Sequence, residues 1–305
     1  MKMVSFGKTG VQVPAIVAGC MRLTRLDLAG ATKYIENAVA HGVNFFDHAD
    51  IYGGGECETL FGKAFRETSI RREEIFVQSK CGIRRGMLDL SKEHILASVD
   101  GMLKRLNMDY IDALLLHRPD ALIEPEEVAE AFEELEKAGK VRFFGVSNMK
   151  PMQIELLQKY VKQPLAANQV QVSAAHATMI SNGLEVNMMT DRAVDRDGSV
   201  LDYCRLKEIT IQAWSPFQYG MIKGPFLMND DFAPLNNKLA ELGEKYGVSA
   251  MAMAAAWLLR HPAKMQILAG TMTPERFDEI CTASDIQLSR PDWYQIFLAA
   301  GNILP

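Results

Sequence analysis

The chain has 305 residues, of which 48% are hydrophobic and 23% are charged, values that are ordinary for a globular protein. Its net charge of −5 comes from 33 basic and 38 acidic side chains that are mixed along the chain, which argues against a nucleic acid or an anionic membrane as partner. The sequence contains no apolar run of about 18 residues and no signal-peptide core after Met1, so we expect no membrane span and a cytoplasmic protein. Its five scattered cysteines are expected to be free thiols.

A short hairpin over residues 3–14 is followed by a nearly regular alternation of strands and helices. The strands are short and mostly apolar, which is typical of strands buried on both faces. The helices carry apolar stripes, and their starts and ends are marked by residues such as Ser91, Pro125 and Gly139. We predict strands at residues 15–19, 43–47, 75–80, 111–116, 141–147, 166–172, 209–214 and 266–269, helices at 28–41, 56–67, 91–106, 125–138, 152–160, 202–207, 233–246, 249–260, 274–283 and 291–300, and an irregular segment at 173–198.

These eight strands indicate a closed (β/α)8 barrel, the TIM barrel, formed by residues 1–305 as one domain. The strand–helix repeat of about 38 residues and the total length both suit that fold. The alternative is a doubly wound dinucleotide-binding fold, which normally shows G-x-G-x-x-G after its first strand. The run Gly53-Gly54-Gly55 lacks the third glycine of that pattern, and G-x-x-x-x-G-K-[ST] is absent from the sequence. A nucleotide would therefore have to bind by another route.

Polar side chains stand at the predicted carboxyl ends of the apolar strands. In a barrel those ends converge on one mouth, where active sites lie. Asp47 and Lys80 end neighbouring strands and are expected to pair, which offsets the cost of burying either charge. The residues at the strand ends are Gly19, Asp47, Lys80, His117, Ser147, Asn148, Gln169, Trp214, Gly270 and Thr271.

Four side chains at or beside this mouth predict acid–base chemistry on a carbonyl group: Asp47, Tyr52, Lys80 and His117. A tyrosine hydroxyl has a reference pKa near ~10, and the adjacent ammonium group is expected to lower the pKa of Tyr52. Asp47 holds Lys80 in place and keeps it charged. His117 can donate a hydrogen bond to the carbonyl oxygen, on which negative charge develops as a hydride arrives. The side chains expected to hold a nicotinamide, one by stacking on its ring and three by hydrogen bonds to its carboxamide, are Trp214, Ser147, Asn148 and Gln169.

Plainer interpretations stay open at this point. Asp47 and Lys80 can form a structural ion pair inside the barrel, and a lone histidine such as His117 is often structural. Asp47, His48 and Asp50 are clustered like metal ligands. However, no second histidine has a spacing suited to zinc, and Lys80 is a poor neighbour for a cation, so we expect no metal.

Five short motifs resemble those of the aldo-keto reductase superfamily, and the resemblance covers essentially the whole chain. Each motif is weak alone, but five in the family's order and spacing are specific. The Asp-His-Ala-Asp and His-Arg-Pro-Asp variants resemble a bacterial group of predicted oxidoreductases within that family. The five motifs are Asp47-His48-Ala49-Asp50-Ile51-Tyr52-Gly53, Ser79-Lys80-Cys81-Gly82, Leu115-Leu116-His117-Arg118-Pro119-Asp120, Gly145-Val146-Ser147-Asn148 and Asn168-Gln169-Val170.

The resemblance implies an NADP-dependent enzyme that reduces an aldehyde or ketone with NADPH (oxidised to NADP+) as cofactor. By analogy, Tyr52 is the proton donor and His117 orients the carbonyl. Lys80 and Asp47 tune the tyrosine. Arg276 falls in the segment that holds the adenosine 2′-phosphate, and a guanidinium suits phosphate because it can donate two parallel hydrogen bonds. The residues implied to contact the cofactor are Gly19, Met21, Asp47, Ser147, Asn148, Gln169, Trp214, Ser215, Phe217, Thr271, Arg276 and Glu279.

Three positions depart from the family pattern. Gly270 stands where many members have a lysine or arginine near the 2′-phosphate, and Ile280 replaces a common asparagine at the adenine contact. His48 replaces a common threonine. Arg276 keeps a phosphate partner in place, so the sequence favours NADPH over NADH.

An alternative role is a cofactor-sensing binding subunit with little turnover, because some relatives of this fold act mainly as such subunits of membrane channels. The intact set of Asp47, Tyr52, Lys80 and His117 favours catalysis. The sequence points to no particular substrate or oligomeric state. The loops expected to read a small-molecule carbonyl substrate are residues 84–86, 174–197 and 301–305.

Overall fold

Eight parallel strands close into a barrel with helices between them, and the predicted N-terminal hairpin precedes them. The computed structural model describes residues 1–221 and 223–304; residue 305, the end of one predicted substrate loop, lies outside that description. The strands are β1 (Met3–Ser5), β2 (Gln12–Pro14), β3 (Ile16–Gly19), β4 (Phe45–Asp47), β5 (Phe76–Cys81), β6 (Ile83–Arg84), β7 (Met87–Leu88), β8 (Ile111–Leu116), β9 (Val141–Ser147), β10 (Leu165–Gln171), β11 (Thr210–Trp214) and β12 (Gln266–Ala269). Strands β3, β4, β5, β8, β9, β10, β11 and β12 follow one another around the barrel in chain order, and β12 pairs with β3.

The helices cover the outside of the barrel, and several start where the sequence signals indicate, whereas α7 starts at Val200, two residues before the predicted start. The Ser91 hydroxyl accepts a hydrogen bond from the His94 amide at 3.3 Å, and Pro125 occupies a first turn, where its missing N–H costs nothing. None of the helices in the described ranges combines the length and the apolar character needed to cross a bilayer. The helices are α1 (Leu28–Ala40), α2 (Glu56–Arg66), α3 (Lys92–Leu106), α4 (Pro125–Lys137), α5 (Pro151–Tyr160), α6 (Thr178–Ser181), α7 (Val200–Lys207), α8 (Ala233–Tyr246), α9 (Ala250–Arg260), α10 (Pro274–Thr282) and α11 (Arg290–Ala299).

Two short features were absent from the prediction. The segment 173–198 contains the single turn α6, and β6 pairs antiparallel with β7 to form a small hairpin after β5. Strands of two residues show no alternation of apolar and polar positions, and one helical turn shows no apolar stripe. Sequence periodicity therefore gives no signal for either feature.

The β1–β2 hairpin packs against the amino-terminal end of the barrel. Phe6, fully buried between its strands, meets the rings of Phe45 and Phe76 at centroid distances of 5.9 and 5.1 Å. Gly7 follows with φ of 52°, and a Cβ there would lie 2.6 Å from the Ala166 carbonyl oxygen, so this close approach requires glycine. The hairpin thus closes the end of the barrel that is opposite the mouth.

The barrel interior contains a layer of four buried glutamines, where barrels usually hold branched apolar side chains. The Gln212 amide accepts hydrogen bonds from Gln78 (2.9 Å) and Gln169 (3.1 Å) and donates to Gln78 and Gln266 (both 3.0 Å). Gln266 in turn donates to the Pro14 carbonyl at 2.7 Å. We call these four residues the glutamine layer. Its side chains are at most 3% exposed, so these bonds offset the desolvation of the amides.

The five cysteines are free, and all five are buried. Burial raises the pKa of Cys20 and Cys81 well above the usual range, so neither thiol is ionised at neutral pH.

Candidate active site

Strand order brings the predicted acid–base residues to one mouth. Asp47 ends β4, and Lys80 lies near the end of the neighbouring strand β5, where Gln78 is the backbone partner of Asp47. His117 follows β8, which pairs with β5 on its other side. Tyr52 stands in the loop after β4. Residues that are 70 positions apart in sequence therefore share one site because consecutive parallel strands lie side by side.

The Lys80 ammonium group is the centre of this site. It is fully buried and donates hydrogen bonds to the Asp47 carboxylate at 2.8 Å, to the His48 carbonyl oxygen at 2.6 Å and to the Tyr52 hydroxyl at 3.1 Å. An ammonium group has three N–H donors, so all three are used. The lysine is thereby held between a carboxylate and the phenol.

A turn of three glycines positions Tyr52. Gly53, Gly54 and Gly55 have φ of 60°, 65° and 94°, in the left-handed region that favours glycine. The Tyr52 amide donates to the Ala49 carbonyl at 3.0 Å, and α2 begins directly after the turn. The glycine run is therefore a local turn that leads from the strand end to the helix while the tyrosine ring stays at the mouth.

The prediction that the pKa of Tyr52 is lowered is wrong for this structure. Burial is the largest influence and raises the pKa above its ordinary value, although Lys80 lowers it through its charge and its hydrogen bond. For Lys80, burial alone would lower the pKa, but the Asp47 carboxylate and Tyr52 outweigh burial and raise it. At neutral pH the site therefore contains a protonated phenol next to a charged ammonium group.

The Asp47 carboxylate is held from its second side by the glutamine layer. One carboxylate oxygen accepts hydrogen bonds from Gln78 at 2.7 Å and from Gln169 at 3.1 Å, and the other accepts from Lys80. Gln169 is among the residues predicted from the sequence, whereas Gln78 is not. The available signal was a glutamine two residues before Lys80, on the same inward face of a strand that is otherwise mostly apolar.

His117 lies beside Tyr52, with their ring centroids 6.0 Å apart and nearly perpendicular. Burial, followed by the positive charges of Lys80 and Arg118, lowers the pKa of His117 to about 2. The imidazole is therefore neutral at physiological pH. Its Nδ1 has no hydrogen-bond partner among the described residues, which leaves the ring free to carry its proton on Nε2.

The predicted amide residues form a connected group at the ends of β9, β10 and β11. Ser147 donates to the Gln169 carbonyl at 2.9 Å, and Asn148 donates to the Ser147 hydroxyl at 2.7 Å. The Trp214 indole nitrogen donates to the Asn148 side-chain oxygen at 3.1 Å, which fixes the half-buried ring at the mouth. These four side chains are brought together, although each is far from the others in sequence.

The other residues implied to contact a cofactor lie farther along the rim. Gly19 ends β3, Met21 is exposed just beyond it, and Ser215 and Phe217 are half-buried after β11. Thr271 follows β12, whereas the exposed side chains of Arg276 and Glu279 lie on α10 and make no hydrogen bond or ion pair with the residues around Lys80.

Arg22 is a cation at this rim that is not among the residues predicted from the sequence. Its guanidinium donates to the Gly270 carbonyl oxygen at 3.3 Å, and a Cβ on Gly270 would lie 3.2 Å from the same nitrogen. The glycine therefore leaves room for a guanidinium from another element. No local signal pairs these positions, because 248 residues separate them in sequence.

A second polar group lies behind the mouth. His48 is fully buried, its ring meets Phe61 edge-on at 4.6 Å, and neither ring nitrogen has a hydrogen-bond partner in the described parts of the chain. Burial and then Lys80 lower the pKa of His48 to about 3. Burial and then the Glu58 charge raise the pKa of Asp50 to about 6. Glu58 itself is buried and paired with Arg105 at 2.7 Å.

Known proteins share sequence and fold with this chain. A model of the aldo/keto reductase family matches residues 15–297. The chain is similar to the uncharacterized oxidoreductase YcsN of Bacillus subtilis (strain 168), with 37% identity over 95% of each chain. It is 33% identical to a 6-dehydroglucose reductase of Agrobacterium fabrum, over 88% of this chain and 87% of that protein. The crystal structure of the thermostable aldo-keto reductase Tm1743 in complex with the inhibitor epalrestat has a TM-score of 0.78 and 26% identity, covering 98% of this chain and all of that one.

Proposed function

Since this chain belongs to the aldo/keto reductase family, we propose that it reduces a small aldehyde or ketone to an alcohol, with NADPH as hydride donor and Tyr52 as proton donor. The observation that carries the proposal is the hydrogen-bonded chain from Asp47 through Lys80 to Tyr52 at the barrel mouth. The similarity to a 6-dehydroglucose reductase supports a carbonyl compound as the substrate class. Barrel enzymes also carry their catalytic residues at this end of the barrel.

Tyr52 supplies the proton in this proposal. Its raised pKa keeps the hydroxyl protonated at neutral pH, and Lys80 donates to the hydroxyl oxygen, so the phenolic hydrogen is left free for a substrate. As the proton moves to the carbonyl oxygen, the phenolate forms 3.1 Å from the ammonium group, which stabilises the new charge. The half-buried phenolate then regains a proton from solvent.

The chemistry that bound NADPH supplies is a hydride, one hydrogen with two electrons, which the carbonyl carbon accepts as the cofactor is oxidised to NADP+. The proton from Tyr52 completes the alcohol, so atoms and electrons balance. His117, neutral at working pH, donates a hydrogen bond to the carbonyl oxygen and fixes its direction.

The residues at the rim fit a nicotinamide dinucleotide phosphate. Both hydrogen bonds donated by Gln169 go to Asp47 and Gln212, and its amide oxygen has no donor among the described residues, so it can accept from a carboxamide N–H. Arg22 contacts Gly270, Arg276 lies on α10 just after the segment that begins there, and neither arginine forms an ion pair in the described parts of the chain. Two guanidinium groups suit phosphate, which supports NADPH over NADH.

The variant Tyr52→Phe tests the proposal. We expect kcat/KM for carbonyl reduction to fall roughly 100- to 10,000-fold, because the proton donor is lost while the ring is retained. The dissociation constant for NADPH, measured by quenching of tryptophan fluorescence, should change less than about twofold. This is well below the tenfold change that a loss of about 1.4 kcal/mol in binding free energy would cause. A panel of simple aldehydes and ketones with absorbance of NADPH as readout provides the assay.

Tyr110→Phe is the matched control. Tyr110 precedes β8 at the opposite end of the barrel, where Arg72 and Arg142 lie over its ring at 4.0 and 3.9 Å. Its hydroxyl has no hydrogen-bond partner among the described residues, so its loss should not alter activity. Undiminished reduction by Tyr52→Phe would remove Tyr52 as proton donor, and NADPH binding without turnover of any carbonyl by the wild type would overturn the proposed reaction.

A further inference from the structure

The guanidinium of Arg118 lies at the mouth and has no polar partner among the residues that the structure describes. Arg118 directly follows His117, is half-buried, and lies 5.9 Å from the centroid of the Trp214 ring. It forms no ion pair and donates no hydrogen bond to any residue that the structure describes. Burial lowers the pKa of Arg118 and a Tyr52 phenolate would raise it, which puts the guanidinium within electrostatic reach of the tyrosine.

Two other partly buried arginines of this protein are paired with buried carboxylates. Arg72, with a side chain 15% exposed, contacts the Asp112 carboxylate at 2.7 Å. Arg105, 30% exposed, contacts the Glu58 carboxylate at 2.7 Å. Such pairing offsets the desolvation of a charged group. Arg118 has no such carboxylate among the described residues and lines the mouth where a substrate would enter, so its counter-charge is expected to come from a ligand.

Arg118 also lines a cleft that continues the mouth. The cleft has a volume of about 310 Å³ and shares Asn148 and Trp214 with the site. Its other charged side chains are Lys150 and Asp197, and the Asp197 carboxylate already accepts a hydrogen bond from the Val200 amide at 3.3 Å. The cleft is thus lined by two cations and one carboxylate, and this excess of positive charge favours an anion there.

We propose that Arg118 binds the anionic oxygen group, a carboxylate or a phosphate, of the carbonyl substrate. This inference rests on the proposed function, because it places the carbonyl end of the substrate at Tyr52. The substrate class is then a small aldehyde or ketone that carries a carboxylate or phosphate on the same molecule. Arg118 is a residue that determines this specificity, since a planar guanidinium can donate two parallel hydrogen bonds to such a group.

Matched pairs of charged and neutral aldehydes test the inference and separate the two anion types. The carboxylate pair is 4-carboxybenzaldehyde and methyl 4-formylbenzoate, and the phosphate pair is D-glyceraldehyde 3-phosphate and D-glyceraldehyde. For at least one pair, the wild type should show a higher kcat/KM for the charged member. In Arg118→Gln the ratio of charged to neutral kcat/KM should fall roughly 10- to 100-fold, mainly through KM, as expected when a charge-assisted contact is lost.

Arg66→Gln is the control for loss of one positive charge. Arg66 is exposed at the carboxyl end of α2, so the variant changes the net charge but leaves the mouth intact. It should keep the wild-type ratio. A wild type without preference for either charged member, or an Arg118→Gln variant with an unchanged ratio, would overturn the inference and leave the proposed function standing.

Binding of benzoate and of inorganic phosphate, measured by calorimetry on the enzyme with NADP+ present, gives a readout that needs no turnover. One of these anions should bind the wild type roughly tenfold or more tightly than it binds Arg118→Gln. Such binding in a protein that reduces no carbonyl would support Arg118 as an anion site and overturn the proposed reaction. Equal affinity for both proteins, or no binding to either, would overturn the role of Arg118.

Discussion

Acidification should unfold this protein partly through His48, and the variant His48→Leu should remove that sensitivity. The folded protein holds the pKa of His48 at about 3, compared with an ordinary value of 6.5. At a pH between these two values, the His48 imidazole is protonated in the unfolded chain but neutral in the folded protein. The stability contributed by the neutral imidazole is therefore present above pH 6.5 and is lost as pH falls toward 3.

The magnitude follows from the two pKa values. Their difference corresponds to a loss of about 5 kcal/mol in the free energy of unfolding once the pH is below both pKa values, and of about 3 kcal/mol at pH 4. Leucine has a similar volume and no titrating group, so the free energy of unfolding of His48→Leu should fall less steeply than that of the wild type as the pH is lowered. Because neither ring nitrogen has a partner among the described residues, the substitution should not cost stability at pH 7. The backbone bond from the His48 amide to the Gln78 carbonyl, 2.8 Å, is retained.

The assay is urea-induced unfolding of both proteins at pH 7, 6, 5 and 4, followed by tryptophan fluorescence. The quantity compared is the difference between their free energies of unfolding at each pH. His117 and His261, whose pKa values are also lowered by burial, are present in both proteins and cancel in the difference. A difference that does not grow between pH 6 and pH 4 would refute the reasoning. A loss of 2 kcal/mol or more at pH 7, about the cost of an unpaired buried polar group, would show that the ring nitrogens have a partner.

Two further substitutions test contacts between distant parts of the chain. Gln212→Leu removes four hydrogen bonds of the glutamine layer and should lower the free energy of unfolding by roughly 3–6 kcal/mol, since the buried side-chain oxygens of Gln78 and Gln266 lose their donor. A urea titration showing a loss below about 1 kcal/mol would contradict this. Arg22→Gln should weaken NADPH binding roughly tenfold with a smaller effect on NADH, because one charge-assisted phosphate contact is lost. Fluorescence titrations that show equal weakening for both cofactors would rule out a role for Arg22 at the 2′-phosphate.

The sequence by itself determined the architecture and the position of the site. Apolar strands alternating with capped helices predict the barrel, and β8 and β9 occupy the predicted residues without any shift. Polar residues at the strand ends, such as Asp47 and Lys80, predict a common mouth because parallel strands in a barrel end together. These signals are local along the chain, so periodicity and composition are enough to read them.

Only the tertiary structure decided which side chains share hydrogen bonds and what their charges do. Gln78 and Gln212 are 134 positions apart, and Arg22 and Gly270 are 248 apart, so no spacing relates them until the barrel closes. The pKa of Tyr52 was predicted in the wrong direction for the same reason. The sequence shows the nearby lysine, but the desolvation that outweighs it depends on how completely the rest of the chain surrounds the ring.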